Sequence, residues 1–192
     1  LSVAFLCTAV FYFATRSFSQ CQMQFFKLAA ISLLLLPATA ISQAAADFAN
    51  CPQFFAKGKP PAVKPNATHR ALCYEAFAIL HSGESKTPVY VAQRLNPASV
   101  ADAGYMPTAK AMGQRFSLAN MVPQAAKHNG VVWASTVEQA TRKYAARADG
   151  DVYVITGPVY EPSVQQSPSI GPGQVRVPKY LFKLVYDESR HR

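Results

Sequence analysis

The fold is decided by the stretch FSLANMVPQ at residues 116–124 together with the apolar run DVYVITGP at residues 151–158. The first stretch alternates weakly between apolar and polar residues, which predicts a strand over its first six residues. Residues 129–148 have the periodicity of an amphipathic helix. The second run is rich in Val and Ile and predicts a buried strand over its first six residues. A strand, a helix and a second strand therefore form the centre of the predicted fold.

Upstream of this centre, the sequence predicts a β-hairpin over about residues 72–95. Residues 71–81 are apolar and fit either a strand or a helix, whereas residues 87–95 alternate like a strand. The residues between these segments have the composition of a turn. Before the hairpin, residues 51–70 are rich in Pro, Lys and Ala, which predicts an extended, partly polyproline arm.

The remaining segments complete an α+β pattern. Short helices are predicted to begin at residues 96–99 and to cover residues 106–114, where Pro107 lies near the start. Residues 161–177 form a long loop rich in Pro, Gly, Ser and Gln, and residues 179–186 alternate as a final strand. This order of elements predicts a mostly antiparallel sheet with flanking helices.

The first 46 residues have the composition of a targeting segment. They contain no acidic residue, and residues 23–46 contain a short basic n-region, an apolar run and two small-residue cleavage sites. We expect residues 23–46 to be a signal peptide, residues 1–22 to be upstream or leader sequence, and the product to be secreted or periplasmic. A membrane anchor is the alternative, although the apolar run is shorter than the roughly 20 residues of a spanning helix.

The rest of the chain is basic. The first 46 residues hold two of the 19 Lys and Arg residues and none of the 10 Asp and Glu residues, so residues 47–192 carry a net charge of +7. A basic domain attracts polyanions, because each neutralised phosphate releases counterions. A soluble basic protein without such a partner is the alternative.

Cysteine usage is consistent with export. Cys7 and Cys21 lie in the leader, which leaves Cys51 and Cys73 as a pair in the remaining domain. Two cysteines in an exported domain favour a disulfide, which would stabilise the domain by about 3 kcal/mol in the chain-entropy model. Two free thiols are the alternative, and the spacing fits no zinc motif.

The central stretch resembles a known family through its Asn and Trp residues. Asn129 precedes Trp133 by four residues, after the Pro-Gln pair of residues 123–124 and before the apolar run of residues 151–158. This arrangement resembles the metal-binding half of the DNA/RNA non-specific endonucleases, whose fold unit is the ββα-metal (His-Me) finger. The resemblance extends from about Cys51 to Tyr186. It implies sequence-independent hydrolysis of DNA and RNA phosphodiesters with Mg²⁺ or another divalent cation.

The resemblance also implies roles for residues of the central helix. Asn129 matches the family's metal-ligand Asn, and Glu138 matches a Glu that supports the water shell of the metal ion. A helix N-cap is the alternative role for Asn129, and a solvated acid is the alternative for Glu138. Trp133 is expected to be a core residue.

A basic face of the same helix is a candidate nucleic-acid contact. Arg142, Lys143 and Arg147 form this face, and Lys and Arg side chains commonly bind the phosphate backbone. Ordinary solubilising charge is the alternative.

The family's general base has no match in this chain. Relatives carry an Asp-Arg-Gly-His motif, whereas this chain has DAGYMPT at residues 102–108 between matching flanks, as an internal deletion would produce. His128 adjoins Asn129, but neighbouring helical side chains are expected to point in different directions. His69 and His81 are expected to be solvated.

We therefore predict an incomplete endonuclease domain over residues 47–192 that is very weak or inactive, because loss of a general base removes roughly 10²–10⁴-fold in rate. A non-catalytic nucleic-acid-binding domain and a decayed gene fragment are the alternative interpretations. After signal cleavage, no stable membrane association is expected.

Overall fold

The computed structural model of the protein describes residues 47–101 and 107–190. The predicted leader, the predicted signal peptide and residues 102–106 lie outside the described residues. Within the described part of the chain, no helix is both long enough and apolar enough to cross a membrane.

A five-stranded antiparallel sheet forms the body of the domain. Its five strands are β1 (His69–Cys73), β2 (Ala78–Ser82), β3 (Thr87–Leu95), β4 (Val152–Val159) and β7 (Tyr180–Asp187). They lie in the order β1-β2-β3-β4-β7, and every neighbouring pair is antiparallel. The predicted α+β class with a mostly antiparallel sheet is confirmed.

The predicted hairpin is also confirmed and consists of β2 and β3. The apolar segment that fitted either a strand or a helix contains the end of β1, a turn and the start of β2. The turn is closed by a 2.9 Å hydrogen bond from the amide N–H of Tyr74 to the carbonyl of Phe77. The predicted 161–177 loop contains a two-stranded hairpin of β5 (Ser169–Ile170) and β6 (Val175–Arg176).

Among the described residues between β3 and β4, three helical segments occur in addition to short 3₁₀ turns. They are α1 (Ala109–Gln114), a π-helix (His128–Glu138) and α2 (Gln139–Ala145). The predicted 129–148 helix is thus a π-helix continued by an α-helix, and it ends three residues before the predicted boundary. The predicted 106–114 helix is α1, which begins after Thr108 because the Thr108 hydroxyl accepts a hydrogen bond from the amide of Ala111.

The predicted strand over residues 116–121 is wrong. The chain forms a 3₁₀ turn over Leu118–Asn120 there. The Ser117 hydroxyl accepts from the amide of Ala119 at 3.3 Å, and the Asn120 side-chain amide donates to the carbonyl of Arg115 at 3.0 Å. These local side-chain bonds favour a turn over a strand, because they satisfy backbone groups without a neighbouring strand.

One face of the sheet, here called the aromatic face, is covered by the segment before β1. Phe48, Phe54 and Phe55 pack against Tyr90 of β3 in the larger hydrophobic cluster. Two 3₁₀ turns (Pro52–Phe54 and Ala56–Gly58) replace the first part of the predicted extended arm.

The predicted disulfide is present and anchors this cover. Cys51 is bonded to Cys73 at the end of β1 across a sequence separation of 22 residues, and Cys51 is buried. The segment that covers the aromatic face is therefore joined covalently to the edge of the sheet.

The opposite face of the sheet, here called the helix face, is covered by α2. Ala145 and Ala148 pack against Val152 and Val154 of β4, with Val185 of β7 beside them. Successive strand residues point to opposite faces. Lys183, two residues before Val185, therefore also points to the helix face.

Candidate metal and nucleic-acid site

The π-helix of residues 128–138 determines which side chains of the candidate site meet. Its wide turn is marked by a hydrogen bond from the amide of Gln139 to the carbonyl of Ala134, five residues earlier. In an α-helix, two residues five positions apart point roughly 140° apart around the axis. In a π-helix, where the hydrogen bonds span five residues, the same two residues are only roughly 50° apart. Side chains spaced by five residues therefore face each other here.

Two contacts in this helix have that spacing. The His128 and Trp133 rings are 6.2 Å apart between centroids, and the Trp133 indole N–H donates to Glu138 Oε1 at 2.9 Å. His128, Trp133 and Glu138 thus form one row along the helix. Trp133 is half-buried within this row, as a residue that joins the helix to the sheet rather than a free stacking surface.

Asn129 is joined to this row through Gln124. The Gln124 side-chain Nε2 donates to Asn129 Oδ1 at 3.2 Å, and its Oε1 lies 2.9 Å from His128 Nδ1. Because an amide oxygen can only accept, His128 Nδ1 carries the hydrogen in this pair. A single Gln side chain therefore contacts both His128 and Asn129, through its two different amide atoms.

Asn129 is not the N-cap of its helix. Its own amide N–H donates to the carbonyl of Ala125 at 2.9 Å, so the helix has already begun. Its side chain is exposed and accepts from another side chain, whereas an N-cap side chain accepts from backbone amides of the first turn. The Asn129 amide oxygen keeps a second lone pair, which is available to a ligand.

Lys183 of β7 forms an ion pair with Glu138 and so links it to the sheet. The Lys183 ammonium lies 2.9 Å from Glu138 Oε1 and 5.8 Å from the Trp133 ring centroid. The Lys183 side chain is only 5% exposed, whereas that of Glu138 is 32% exposed. Glu138 is therefore an ion-paired residue at the edge of solvent, which corrects its alternative role as a simply solvated acid.

Asp187 of β7 anchors the other end of the helical segment. Its carboxylate is buried and accepts from the Tyr144 hydroxyl at 2.8 Å. Hydrogen bonds from the Ser189 hydroxyl and from Tyr144 hold the pKa of Asp187 below its usual value. Asp187 and Lys183 thus fix α2 and the π-helix to the same strand.

The predicted basic residues are close in sequence but differ in setting. Arg142 and Lys143 occupy the last turn of α2, where positive charge also complements the helix dipole, and Arg147 follows the end of the helix. Arg142 is half-buried, whereas Lys143 and Arg147 are exposed. Within residues 47–101 and 107–190, none of the three forms a salt bridge. Lys143 and Arg147 therefore present their charges to solvent.

The donor set near the π-helix suits a hydrated hard cation. It consists of oxygen ligands, the Asn129 amide and the Glu138 carboxylate, which Mg²⁺ prefers while keeping several waters. The described residues contain no cluster of three or more His, Cys, Asp or Glu that could enclose a metal ion. A divalent cation here would be held by few protein ligands, as the family resemblance implies.

The three described histidines, His69, His81 and His128, differ in whether they contact the candidate site. His81 lies in β2, where burial lowers its pKa, and His69 lies opposite Ser82 at the start of β1. Both were expected to be solvated, and both are half-buried rather than fully exposed. Of these three, His128 alone contacts the row of the candidate site.

Two residues of the site were missed by the sequence reasoning. Nothing in the sequence marked Gln124, because its contacts depend on the turn that precedes the helix. Lys183 was marked by its position, since it is a charged residue at an inward-facing position of the strand, between Leu181 and Val185.

Comparison with known proteins gives a family match over part of the chain. Residues 100–192 match the family model described as DNA/RNA non-specific endonuclease. The predicted resemblance to this family is thus confirmed over residues 100–192. The matched segment includes the π-helix, α2, β4 and β7, and thus every residue of the candidate site.

A solved structure has a similar fold. A chain in the crystal structure of the EndoG/EndoGI complex, a study of the mechanism of EndoG inhibition, superposes with a TM-score of 0.55 at 21% identity. The alignment covers 64% of this chain and 69% of that chain. No curated protein matches the chain in sequence.

Proposed function

We propose that this protein is an exported nuclease-family domain that holds a hydrated Mg²⁺ against a nucleic-acid phosphate and cleaves phosphodiesters very weakly. The proposal rests on one observation, the continuous series of contacts that joins Asn129 to Glu138 through Gln124, His128 and Trp133. Both predicted metal-site residues thereby belong to a single cluster on the helix.

Each residue has a defined part in this proposal. Asn129 Oδ1 would bind the ion directly, and Glu138 would accept hydrogen bonds from its waters. When bound, a divalent cation neutralises charge on the transition-state phosphate and on the leaving oxygen. Arg142, Lys143 and Arg147 would contact the phosphate backbone without reading sequence, because phosphate contacts carry no base information.

The weakness of the reaction follows from the missing Asp-Arg-Gly-His motif. General-base catalysis contributes roughly 10²–10⁴-fold to hydrolysis. His128 Nδ1 is engaged with Gln124, and among the described residues no carboxylate forms a hydrogen bond or salt bridge with His128. We therefore propose no full replacement for the missing base.

A plasmid-nicking assay tests the proposal. Supercoiled plasmid is incubated with the wild-type protein in Mg²⁺, with EDTA, and with the Asn129→Ala variant. We expect faint nicking that EDTA and Asn129→Ala both abolish. Fast, metal-dependent cleavage would contradict the assigned loss of the base, and nicking that Asn129→Ala leaves unchanged would contradict the site.

A non-catalytic nucleic-acid-binding domain is the second candidate. The net charge of +7 on residues 47–192 and the exposed Lys143 and Arg147 favour it. It predicts binding to DNA and RNA that weakens steeply with salt and that does not require a divalent cation. Salt-dependent binding without any nicking would support it, and no binding at low salt would exclude it.

The proposed export has its own support and its own test. Stable disulfides such as Cys51–Cys73 form in oxidising compartments, which include the periplasm and the extracellular medium. Expression with residues 1–46 in a bacterial host, followed by N-terminal sequencing of the mature product, is expected to show cleavage after Ala40 or Ala46. An uncleaved product retained in the membrane fraction would favour the anchor instead.

A further inference from the structure

Lys183 is an unusual residue for the interior of a sheet–helix interface. It lies on β7 opposite Thr156 of β4 and points to the helix face, and its side chain is only 5% exposed. Lysine is almost never buried unless it is paired, because removing an ammonium group from water costs several kcal/mol. The position therefore requires a specific partner.

Both partners of Lys183 belong to the π-helix, and they converge on one atom. Glu138 Oε1 accepts the Trp133 indole N–H at 2.9 Å and lies 2.9 Å from the Lys183 ammonium. The same ammonium lies over the Trp133 ring. With Oε1 occupied twice, the rotation of the Glu138 carboxylate is fixed, and among the described residues no hydrogen bond reaches Oε2.

The wide turn of the π-helix is what makes this convergence possible. In an α-helix, Trp133 and Glu138 would point to different sides, and Lys183 could not contact both. The helix geometry and the buried lysine therefore serve the same arrangement, which is a second observation independent of the ion pair.

We infer that Lys183 is a positioning residue, which acts through Glu138 and Trp133 to direct Glu138 Oε2 toward the waters of a divalent cation bound at Asn129. This inference rests on the proposed function. Lys183 does not touch the ion or the substrate. It holds the supporting carboxylate in one orientation from the last strand of the sheet.

Removing Lys183 should change the affinity for the cation in two opposite ways. Whether the affinity rises or falls therefore shows which effect is larger. Loss of a nearby positive charge strengthens cation binding, since like charges repel. Loss of an orienting outer-shell partner weakens metal binding, typically by 10–100-fold. The inference therefore predicts that Lys183→Met weakens binding, although the substitution removes a charge that repels the ion.

The experiment measures the dissociation constant of Mn²⁺ by electron paramagnetic resonance. The proteins are the wild type, Lys183→Met, Lys183→Arg, Asn129→Ala and the matched control Lys179→Met, in which an exposed lysine leaves its partner Glu161. We expect Lys183→Met to weaken Mn²⁺ binding about tenfold. Lys183→Arg and Lys179→Met should stay within about twofold of the wild type, since Arg retains the charge and can still pair with a carboxylate.

A second readout follows the geometry directly. Trp133 is the single tryptophan of the chain, so its indole N–H gives one signal in a ¹H–¹⁵N spectrum. That signal should move in Lys183→Met and not in Lys179→Met. Unchanged or tighter Mn²⁺ binding in Lys183→Met, or an unmoved indole signal, overturns the inference.

The outcomes separate this inference from the function on which it rests. No Mn²⁺ binding by the wild type, or equal binding by Asn129→Ala, contradicts the proposed function. Wild-type binding that is abolished in Asn129→Ala but unaffected in Lys183→Met contradicts the inference alone. If Lys183→Met does not unfold cooperatively, the variant cannot be used and the wild type is measured instead. Its Lys183 ammonium signal in the NMR spectrum must then shift on addition of Mg²⁺. The absence of that shift overturns the inference.

Discussion

The two faces of the five-stranded sheet are built for different tasks. On the aromatic face, large side chains such as Phe48, Phe55 and Tyr90 pack into the larger cluster, which the Cys51–Cys73 disulfide closes. On the helix face, the buried cluster contains small and β-branched residues. The Lys183–Glu138 ion pair and the Tyr144–Asp187 hydrogen bond complete the contact with the helices. Stability is concentrated on the first face and polar chemistry on the second.

This difference has a physical reason. Aromatic side chains bury the most apolar area, so a cover made of them stabilises the sheet without polar groups. A helix that must present an amide and a carboxylate to solvent cannot bury that much surface, and here directed bonds from Lys183 and Asp187 fix it instead. Changes on the aromatic face should mainly alter the free energy of unfolding. Changes on the helix face should mainly alter ligand binding, with smaller effects on stability.

Loss of the disulfide should give the largest effect. Replacing Cys51 and Cys73 by Ser should lower the free energy of unfolding by about 3 kcal/mol, as the chain-entropy model gives for the closed loop. Urea denaturation of the variant and the wild type measures this difference. Mn²⁺ affinity, measured below the unfolding transition, should be unchanged. An equal loss of metal affinity would show that the two faces are not independent.

A substitution at Gly157 of β4 should have a smaller effect on stability. A Cβ atom there would lie 2.6 Å from the carbonyl oxygen of Val89 and 2.8 Å from the Phe182 ring. Because the carbonyl belongs to the neighbouring strand, relief requires a backbone shift, and we expect Gly157→Ala to destabilise by about 2 kcal/mol. Thermal unfolding measures it, with Gly113→Ala as control, since no atom lies within 4 Å of a Cβ added at Gly113.

The basic residues of the helix face should control nucleic-acid affinity. Replacing Arg142, Lys143 and Arg147 by Gln should lower the affinity for duplex DNA about tenfold at low salt. The slope of log K against log salt should become shallower by about 0.9 for each phosphate that is no longer neutralised. The matched control replaces Lys57, Lys59 and Lys64, with the same change in charge, in the segment before β1. Equal decreases in affinity in the two triple variants would show that total charge, and not the helix face, directs binding.

The smallest effect should be an acid-dependent one at Asp187. Hydrogen bonds from Ser189 and Tyr144 lower the pKa of Asp187 from its usual 3.8. A lowered carboxyl pKa stabilises the fold fully above 3.8, and this contribution is lost as the pH falls through the lower value. Asp187→Asn should therefore unfold at a lower temperature than the wild type at pH 7, and the difference should shrink below pH 3.8. A difference that is constant with pH would contradict the assigned shift.

The sheet was predictable from sequence because burial imposes a pattern on its strands. In β3, β4 and β7, side chains alternate between the two faces, so the amino-acid sequence carries the alternation directly. The predicted strand at residues 116–121 failed for the converse reason. Phe116 is 65% and Leu118 is 85% exposed, so these apolar residues do not mark a buried strand face. The local hydrogen bonds of Ser117 and Asn120 determine the backbone conformation instead.

The candidate site was predictable only in part. The residue types of Asn129 and Glu138 are visible in the sequence, but the π-helix that brings Trp133 to Glu138 has no signature in composition. A contact between residues five positions apart, such as Trp133 and Glu138, fits a π-helix and not an α-helix. The contact of Lys183 with Glu138 depends on strand register, which a single sequence does not specify.

Mg²⁺ binding to the wild type and to Asn129→Ala, measured by isothermal titration calorimetry, tests the central claim most directly. Asn66→Ala, which removes an exposed Asn from the segment before β1, is the control. We predict saturable binding of one Mg²⁺ to the wild type and to the control, and at least a tenfold weaker affinity in Asn129→Ala. Equal Mg²⁺ affinity in all three proteins would contradict the claim that the π-helix carries the metal site.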